Sequence, residues 1–164
     1  MKKTVYLSLG SNLGDRAANL REAIRRLAAM GVVAAVSTFY ETEPVEVTSQ
    51  QPWFLNCAVA LETELMPKQL LSRALTLEQS MGRRRTKIRG PRVIDIDIVL
   101  FGNAVVDTLE LSIPHPAMQR RRFVLAPLAE IAPEARHPVL KRTVRELLAD
   151  LPAAPGAVRK WEQS

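Results

Sequence analysis

Residues 94–102 read IDIDIVLFG. Ile94, Ile96 and Ile98 alternate with Asp95 and Asp97, which is the period of a β-strand with one apolar face. Asp is depleted from strands, so two of them on one strand ask for a reason. Residues i and i+2 of a strand point the same way, about 6.5–7 Å apart along it. The isoleucines therefore define a core face, and the aspartates stand on the other.

Working outward, TVYLSL (4–9) alternates in the same way, with Val5, Leu7 and Leu9 on the core face. GSNLGD follows as a turn, with Asp15 near a helix start. Leu20, Ile24 and Leu27 recur at helical spacing from about residue 16 to 30, and Gly31 is a natural stop. Residues 33–42 are β-rich, and 43–53, with Pro44 and Pro52, read as a loop. Residues 54–62 alternate again, placing Leu55, Cys57, Val59 and Leu61 in the core. Pro67 opens a second helix and Gly82 closes it.

The order β-α-β-β-α-β predicts an α+β fold, a ferredoxin-like antiparallel sheet with both helices on one face and a C-terminal extension. The opposite, open face collects Tyr6, Ser8, Phe54, Asn56, Asp95 and Asp97. A register slip of one residue would bury both carboxylates. The extension holds IPHPAM (113–118), a short helix near 121–130, and a helix capped by Thr143 and Glu146 in a T-x-x-E box.

The chain has 164 residues, 47% of them apolar, which suits one domain over 1–164 with a real core. No apolar run approaches the roughly 18–20 residues of a membrane span. The N-terminus is too short in apolar residues for a signal peptide. Cys57 is the only cysteine, so neither a disulfide nor a cysteine zinc site is expected. A soluble cytoplasmic protein, active as a monomer, is the expectation.

Net charge is +6, and the excess is local. Arg83, Arg84, Arg85, Lys87, Arg89 and Arg92 share one acid-free stretch, and Arg120, Arg121 and Arg122 form a second cluster. Nucleic acid or a nucleotide's phosphates are the partners such clusters suit. Two carboxylates on one strand face repel unless a cation lies between them. Mg²⁺ takes hard oxygen ligands and substrate phosphates together. Carboxylates and arginines converging on one point are the equipment of phosphoryl transfer. D-x-D alone is a common accident; inside GPRVIDIDIVLFG, beside the arginine loop, it points to that chemistry.

SLGSNLGD joins a strand to a helix but fits neither phosphate-loop fingerprint, so it reads as a structural turn. His115 and His137 are isolated, a pattern that is structural more often than not, although Pro114 and Pro116 hold His115 rigidly enough to aim its ring. Phe54 shares the open face with Asn56, and a ring beside an amide suits a flat heterocycle.

LGSNLGD, STFYETEP, PWFLNCAVALET, GRRRTKIRGPRVIDIDIVLFG and PHPAMQRRRFVLAPL together resemble the 6-hydroxymethyl-7,8-dihydropterin pyrophosphokinases of folate synthesis, in order from about residue 5 to 135. The resemblance implies transfer of pyrophosphate from ATP to the pterin hydroxymethyl group, with release of AMP and use of two Mg²⁺ ions. It implies that Asp95 and Asp97 hold the metals and that Arg83 and Arg92 surround the transferring group. Glu78, Arg85, Ile98, Ser112, His115 and Arg121 would serve ATP. Phe54 and Phe123 would sandwich the pterin ring, with the Asn56 amide and the backbone around Thr42 and Val45 reading its edges.

The sequence departs from the family pattern before GPR, where Ile88-Arg89 replaces an aromatic-bearing pair, so Lys87, Ile88 and Arg89 carry no assigned role. Gly82 and Gly90 flank this stretch, which is expected to close over MgATP. Two rivals differ in class. An RNA-binding sheet would show aromatic residues on its central strands, where this chain has Asn and Asp, so no nucleic-acid partner is expected. A regulatory ligand-binding domain would not require the aspartate pair.

Overall fold

The computed structural model describes residues 1–43, 52–83, 91–152 and 158–162. Strand β1 (Lys3–Ser11) leads into helix α1 (Arg16–Leu27), then β2 (Val32–Val36), β3 (Tyr40–Thr42) and β4 (Phe54–Thr63). Helix α2 (Pro67–Ser80) precedes β5 (Asp95–Phe101), and the short strands β6 (Val106–Asp107) and β7 (Ser112–Ile113) form a separate pair. Helices α3 (Arg122–Ile131) and α4 (Val144–Asp150) follow, and β8 (Val158–Lys160) completes the order. The main sheet runs β5-β1-β4-β3-β8, with β2 also on β4, and its pairings are antiparallel.

Local chemistry sets the helix starts. The Asp15 carboxylate accepts from Ala18 N at 3.1 Å, satisfying one of the free donors of α1. Pro67 occupies the first turn of α2, while the Gln69 side chain accepts from Met66 N at 2.8 Å. Thr143 caps α4, and Glu146 returns the bond to Thr143 N at 2.9 Å, the box read from sequence. Helix α1 ends at Leu27, earlier than Gly31 suggests. Gly31 serves a close approach instead: a Cβ there would stand 2.1 Å from the Glu62 carbonyl oxygen.

Val5, Leu7, Leu9, Leu55, Val59, Leu61, Ile94, Ile96 and Ile98 all lie in one buried cluster with Leu20 and Leu27 of α1 and Leu70 and Leu77 of α2. The strand parity expected from sequence therefore holds. Two expectations do not. The β-rich stretch 33–42 is broken at Ser37–Phe39, where Glu130 of α3 accepts from Thr38 N and the Tyr40 hydroxyl, each at 2.7 Å.

Helices α1 and α2 share one face as expected, but the opposite face is not left open. Val124, Leu125 and Leu128 of α3 and Val144 and Leu147 of α4 form a second cluster with Ala58, Val99 and Leu100 of the sheet, with Tyr6 packed against it. A bulge makes this possible, because Leu7 pairs with Ile98 while Tyr6 pairs with Leu100. Val99 is the extra residue, so Val99 and Leu100 both face the second cluster. The face expected to be open is covered at its Tyr6–Leu100 end, and the polar residues stand beyond that cover.

Candidate active site

Four strands bring the site's side chains into line. Gly10 of β1 lies opposite both Asp95 of β5 and Asn56 of β4, and Asn56 lies opposite Tyr40 of β3. Directly paired residues share a face, so Asp95 and Asn56 flank a position that carries no side chain. A Cβ at Gly10 would stand 2.7 Å from Asn56 Nδ2 and 3.3 Å from Phe54 Cδ1. The glycine thus leaves a slot that the amide and the ring already edge.

Polar groups at one end of this slot lack partners. Asn56 Oδ1 and Thr42 Oγ1 are buried and accept no hydrogen bond among the described residues. Among the described residues Asn56 Nδ2 donates only a long bond, 3.5 Å, to the Leu9 carbonyl. A buried polar atom left unsatisfied costs about 1–3 kcal/mol, so this end offers two acceptors to a ligand with donors on its edge. Thr42 pairs with Phe54, which keeps both on the Asn56 face.

The other end is ionic. Arg83 Nη1 donates to Asp95 Oδ1, and to Glu78 Oε2 at 3.1 Å. Arg92 Nη1 donates to Asp95 Oδ2 at 3.3 Å. Each oxygen of Asp95 thus carries one arginine. Glu78 is 1% exposed, and its Oε2 also accepts from Ile96 N at 2.7 Å. One carboxylate from the end of α2 therefore fixes both the edge of β5 and the guanidinium of Arg83. Arg92 is fixed through its backbone, because Arg92 N donates to Asn12 Oδ1 at 2.7 Å and Asn12 N donates back to the Arg92 carbonyl at 3.0 Å.

Asp97 lies opposite Ser8, where the covered part of the face begins. Burial, with the negative charges of Asp95 and Glu78, holds its carboxyl well above the usual range, against the pull of Arg121 and Arg83. His115 is within electrostatic reach of Arg121 and Asp95; burial and then Arg121 lower its pKa. Its Nδ1 accepts from Ala117 N at 3.1 Å. The neutral ring therefore keeps its proton on Nε2, as a donor suited to an anion. The Arg121 guanidinium lies 5.6 Å from the centre of the Phe123 ring.

Asp95, Asp97, Glu78, Arg83, Arg92, His115 and Arg121 thus form one electrostatic group, with Thr42, Phe54 and Asn56 across Gly10 from it. Phe123 is half-buried against the second core cluster. The Ile98 side chain is core, 5% exposed, so only its backbone is available to a ligand. Ser112 is half-buried in β7. Val45, Arg85, Lys87, Ile88 and Arg89, and the loop closure expected around them, lie outside the described residues. His137 is structural, its Nδ1 accepting from Val139 N and Leu140 N at 3.2 and 3.0 Å.

Sequence reasoning missed Asn12 and Gly10. Both sit in the stretch read as a structural turn, and their partners are far away in the chain. The sequence gives a local hint only for Gly10, because glycine inside an alternating strand marks a close approach.

A sheet face that joins paired carboxylates and arginines to an amide-edged slot has the chemistry to take phosphates beside a flat polar ring. The chain belongs to the 7,8-dihydro-6-hydroxymethylpterin-pyrophosphokinase (HPPK) family, whose family model matches residues 6–133. It is 49% identical over 148 residues to the 2-amino-4-hydroxy-6-hydroxymethyldihydropteridine pyrophosphokinase of Methylorubrum extorquens, covering 89% of this chain and 92% of that one. The Bacillus subtilis protein of the same name is 46% identical over 133 residues, 80% of this chain and 79% of that one. Folic acid synthesis protein FOL1 of Dictyostelium discoideum is 42% identical over 148 residues, which is 90% of this chain but only 22% of FOL1. The crystal structure of wild-type Plasmodium falciparum HPPK-DHPS with pteroate shares the fold, with a TM-score of 0.73 over 91% of this chain and 42% of that one, at 19% identity.

Proposed function

We propose that this chain carries out the reaction of its family, transfer of pyrophosphate from ATP to the hydroxymethyl group of 6-hydroxymethyl-7,8-dihydropterin in folate synthesis, with the residues described above. The pterin hydroxyl oxygen forms a bond to the β-phosphorus of ATP. The bond from that phosphorus to the α–β bridging oxygen breaks, AMP leaves, and the hydroxyl proton is lost. The observation that carries this reading is the row Asn56–Gly10–Asp95: unpartnered edge-reading atoms on one side of a vacant strand position and an arginine-flanked carboxylate on the other.

Thr42 Oγ1 and Asn56 Oδ1 accept from the pterin's edge, and Phe54 and Phe123 take its faces. Arg83 and Arg92 neutralise the transferring group, while His115 Nε2 and Arg121 donate to ATP phosphates. Ser112 and the Ile98 backbone serve the nucleotide. Glu78 is a positioning residue, because it acts through Arg83 and Ile96.

Asp95 and Asp97 are hard oxygen donors on one face. Among the described residues no third histidine, cysteine or carboxylate joins them in a metal-holding cluster. That sparse donor set fits Mg²⁺, which relies on one or two carboxylates and completes its shell with water and phosphate. Two such ions would supply charge neutralisation at the phosphates.

The sheet order β5-β1-β4-β3 supports a ferredoxin-like core with a C-terminal extension, and β8 ties that extension into the same sheet, as one pyrophosphokinase domain over 1–164 requires. Formation of AMP from ATP that depends on the hydroxymethyldihydropterin tests the function. ATP hydrolysis to ADP indifferent to the pterin would overturn it.

A further inference from the structure

The C-terminal strand β8 carries none of the roles above, yet it is built against the pterin end of the site. Thr42 pairs with Phe54 on one side and with Val158 of β8 on the other. Glu41, one residue earlier, pairs with Leu55 and Arg159, so its side chain lies on the opposite face, behind the slot. There its carboxylate is divided between two arginines: Arg16 Nη2 stands 3.2 Å from Oε2, and Arg159 Nη2 stands 3.4 Å from Oε1.

Both arginines also hold Trp53. Arg16 Nη1 donates to the Trp53 carbonyl at 2.9 Å, and the Arg159 guanidinium lies 4.8 Å from the centre of the Trp53 ring. Trp53 adjoins Phe54, and Glu41 adjoins Thr42. The closed group Arg16–Glu41–Arg159–Trp53 therefore braces from behind the two laddered segments that supply the slot's ring and hydroxyl. The strand itself is pinned beyond Arg159, where Trp161 N donates to the Phe39 carbonyl at 2.8 Å and the two rings stack with centroids 6.1 Å apart.

We propose that β8, through Arg159, positions the pterin subsite: Arg159 and Arg16 are positioning residues that hold Thr42 and Phe54 at the spacing the pterin needs. This rests on the pterin reading of Thr42, Phe54 and Asn56. The Arg159 side chain is 64% exposed, so removing it leaves the core untouched. Arg159 touches the subsite only through Glu41 and Trp53, so its loss should loosen pterin binding severalfold without abolishing it.

The test is steady-state kinetics and pterin calorimetry on wild type, Arg159→Ala and Arg159→Lys. Arg159→Ala is expected to raise the pterin KM and Kd about fivefold, with kcat, ATP KM and melting temperature held and Arg159→Lys partly restored. An unchanged pterin KM, or a parallel rise in both substrates' KM with a lowered melting temperature, would overturn the positioning role. A wild-type protein that binds ATP but no pterin would overturn the reading on which the inference rests, and the inference with it.

Discussion

Gly10 and Asn56 face each other across the β1–β4 ladder so closely that a methyl group on Gly10 would stand 2.7 Å from the Asn56 amide nitrogen. Real side chains do not tolerate that distance, so Gly10→Ala must displace the amide. The buried edge-reading bond is then lost, which costs about 1–3 kcal/mol, or roughly ten- to hundredfold in pterin Kd. ATP affinity should hold within about twofold. Calorimetry with each ligand separates the two, and a pterin Kd equal to wild type would remove Asn56 from recognition.

Glu78→Gln keeps an acceptor for Ile96 N but removes the charge that faces Arg83. Arg83 then keeps Asp95 and the Ile94 carbonyl but loses one of its two anionic partners among the described residues, and a misplaced guanidinium neutralises the transferring group poorly. A drop in kcat of about tenfold or more is expected, with both KM values changed less. Single-turnover AMP formation is the measurement. An unchanged kcat would confine Glu78 to the fold.

Asp97→Asn should reduce turnover well over tenfold, given the several kcal/mol that metal ions contribute to phosphoryl transfer. The variant should melt no lower than wild type in chelator, because it removes a charge that burial, Asp95 and Glu78 all oppose. Near-normal turnover would take Asp97 out of the mechanism. A large fall in melting temperature would make it a structural residue.

His137 makes one separable contribution to the pH dependence of stability. Burial holds its imidazole below the ordinary value of 6.5, and its Nδ1 accepts from two backbone amides. The unfolded chain binds the proton that the folded chain resists. Its stabilising effect is therefore whole above about 6.5 and is lost as pH falls below it. His137→Asn keeps an acceptor without titrating. The melting temperature of wild type should fall relative to this variant between pH 7 and pH 5 (about the range in which histidine titrates). Parallel curves would show that His137 takes its proton equally in both states.

Alternation of side chains made the strands legible, because β1, β4 and β5 each carry an unbroken apolar set on one face. It could not show the second layer. Val124, Leu125, Val144 and Leu147 form short apolar groups in the tail, and their partner Leu100 shares their cluster only through the bulge at Val99. The ionic half of the site was legible as Asp95, Asp97 and the arginines. Asn12 was not, because nothing local to it foretells a bond to Arg92, 80 residues away. Glu78 read as a nucleotide contact from family pattern alone, whereas its burial and its grip on β5 exist only in three dimensions.

The strand that bears the aspartates is also the margin of the main sheet, since β5 ends the order β5-β1-β4-β3-β8. Margins invite strand addition by other chains. Here the Ile96 N–H is taken by Glu78 and the Val99 carbonyl by His115 N at 2.9 Å. The residues assigned to ATP and to Arg83 thus occupy the docking points another strand would use. A Glu78 substitution that leaves no acceptor, such as Glu78→Ala, would free the Ile96 N–H for another strand as well as slow the reaction, so loss of function there should arrive together with aggregation, whereas Glu78→Gln should lose function without it.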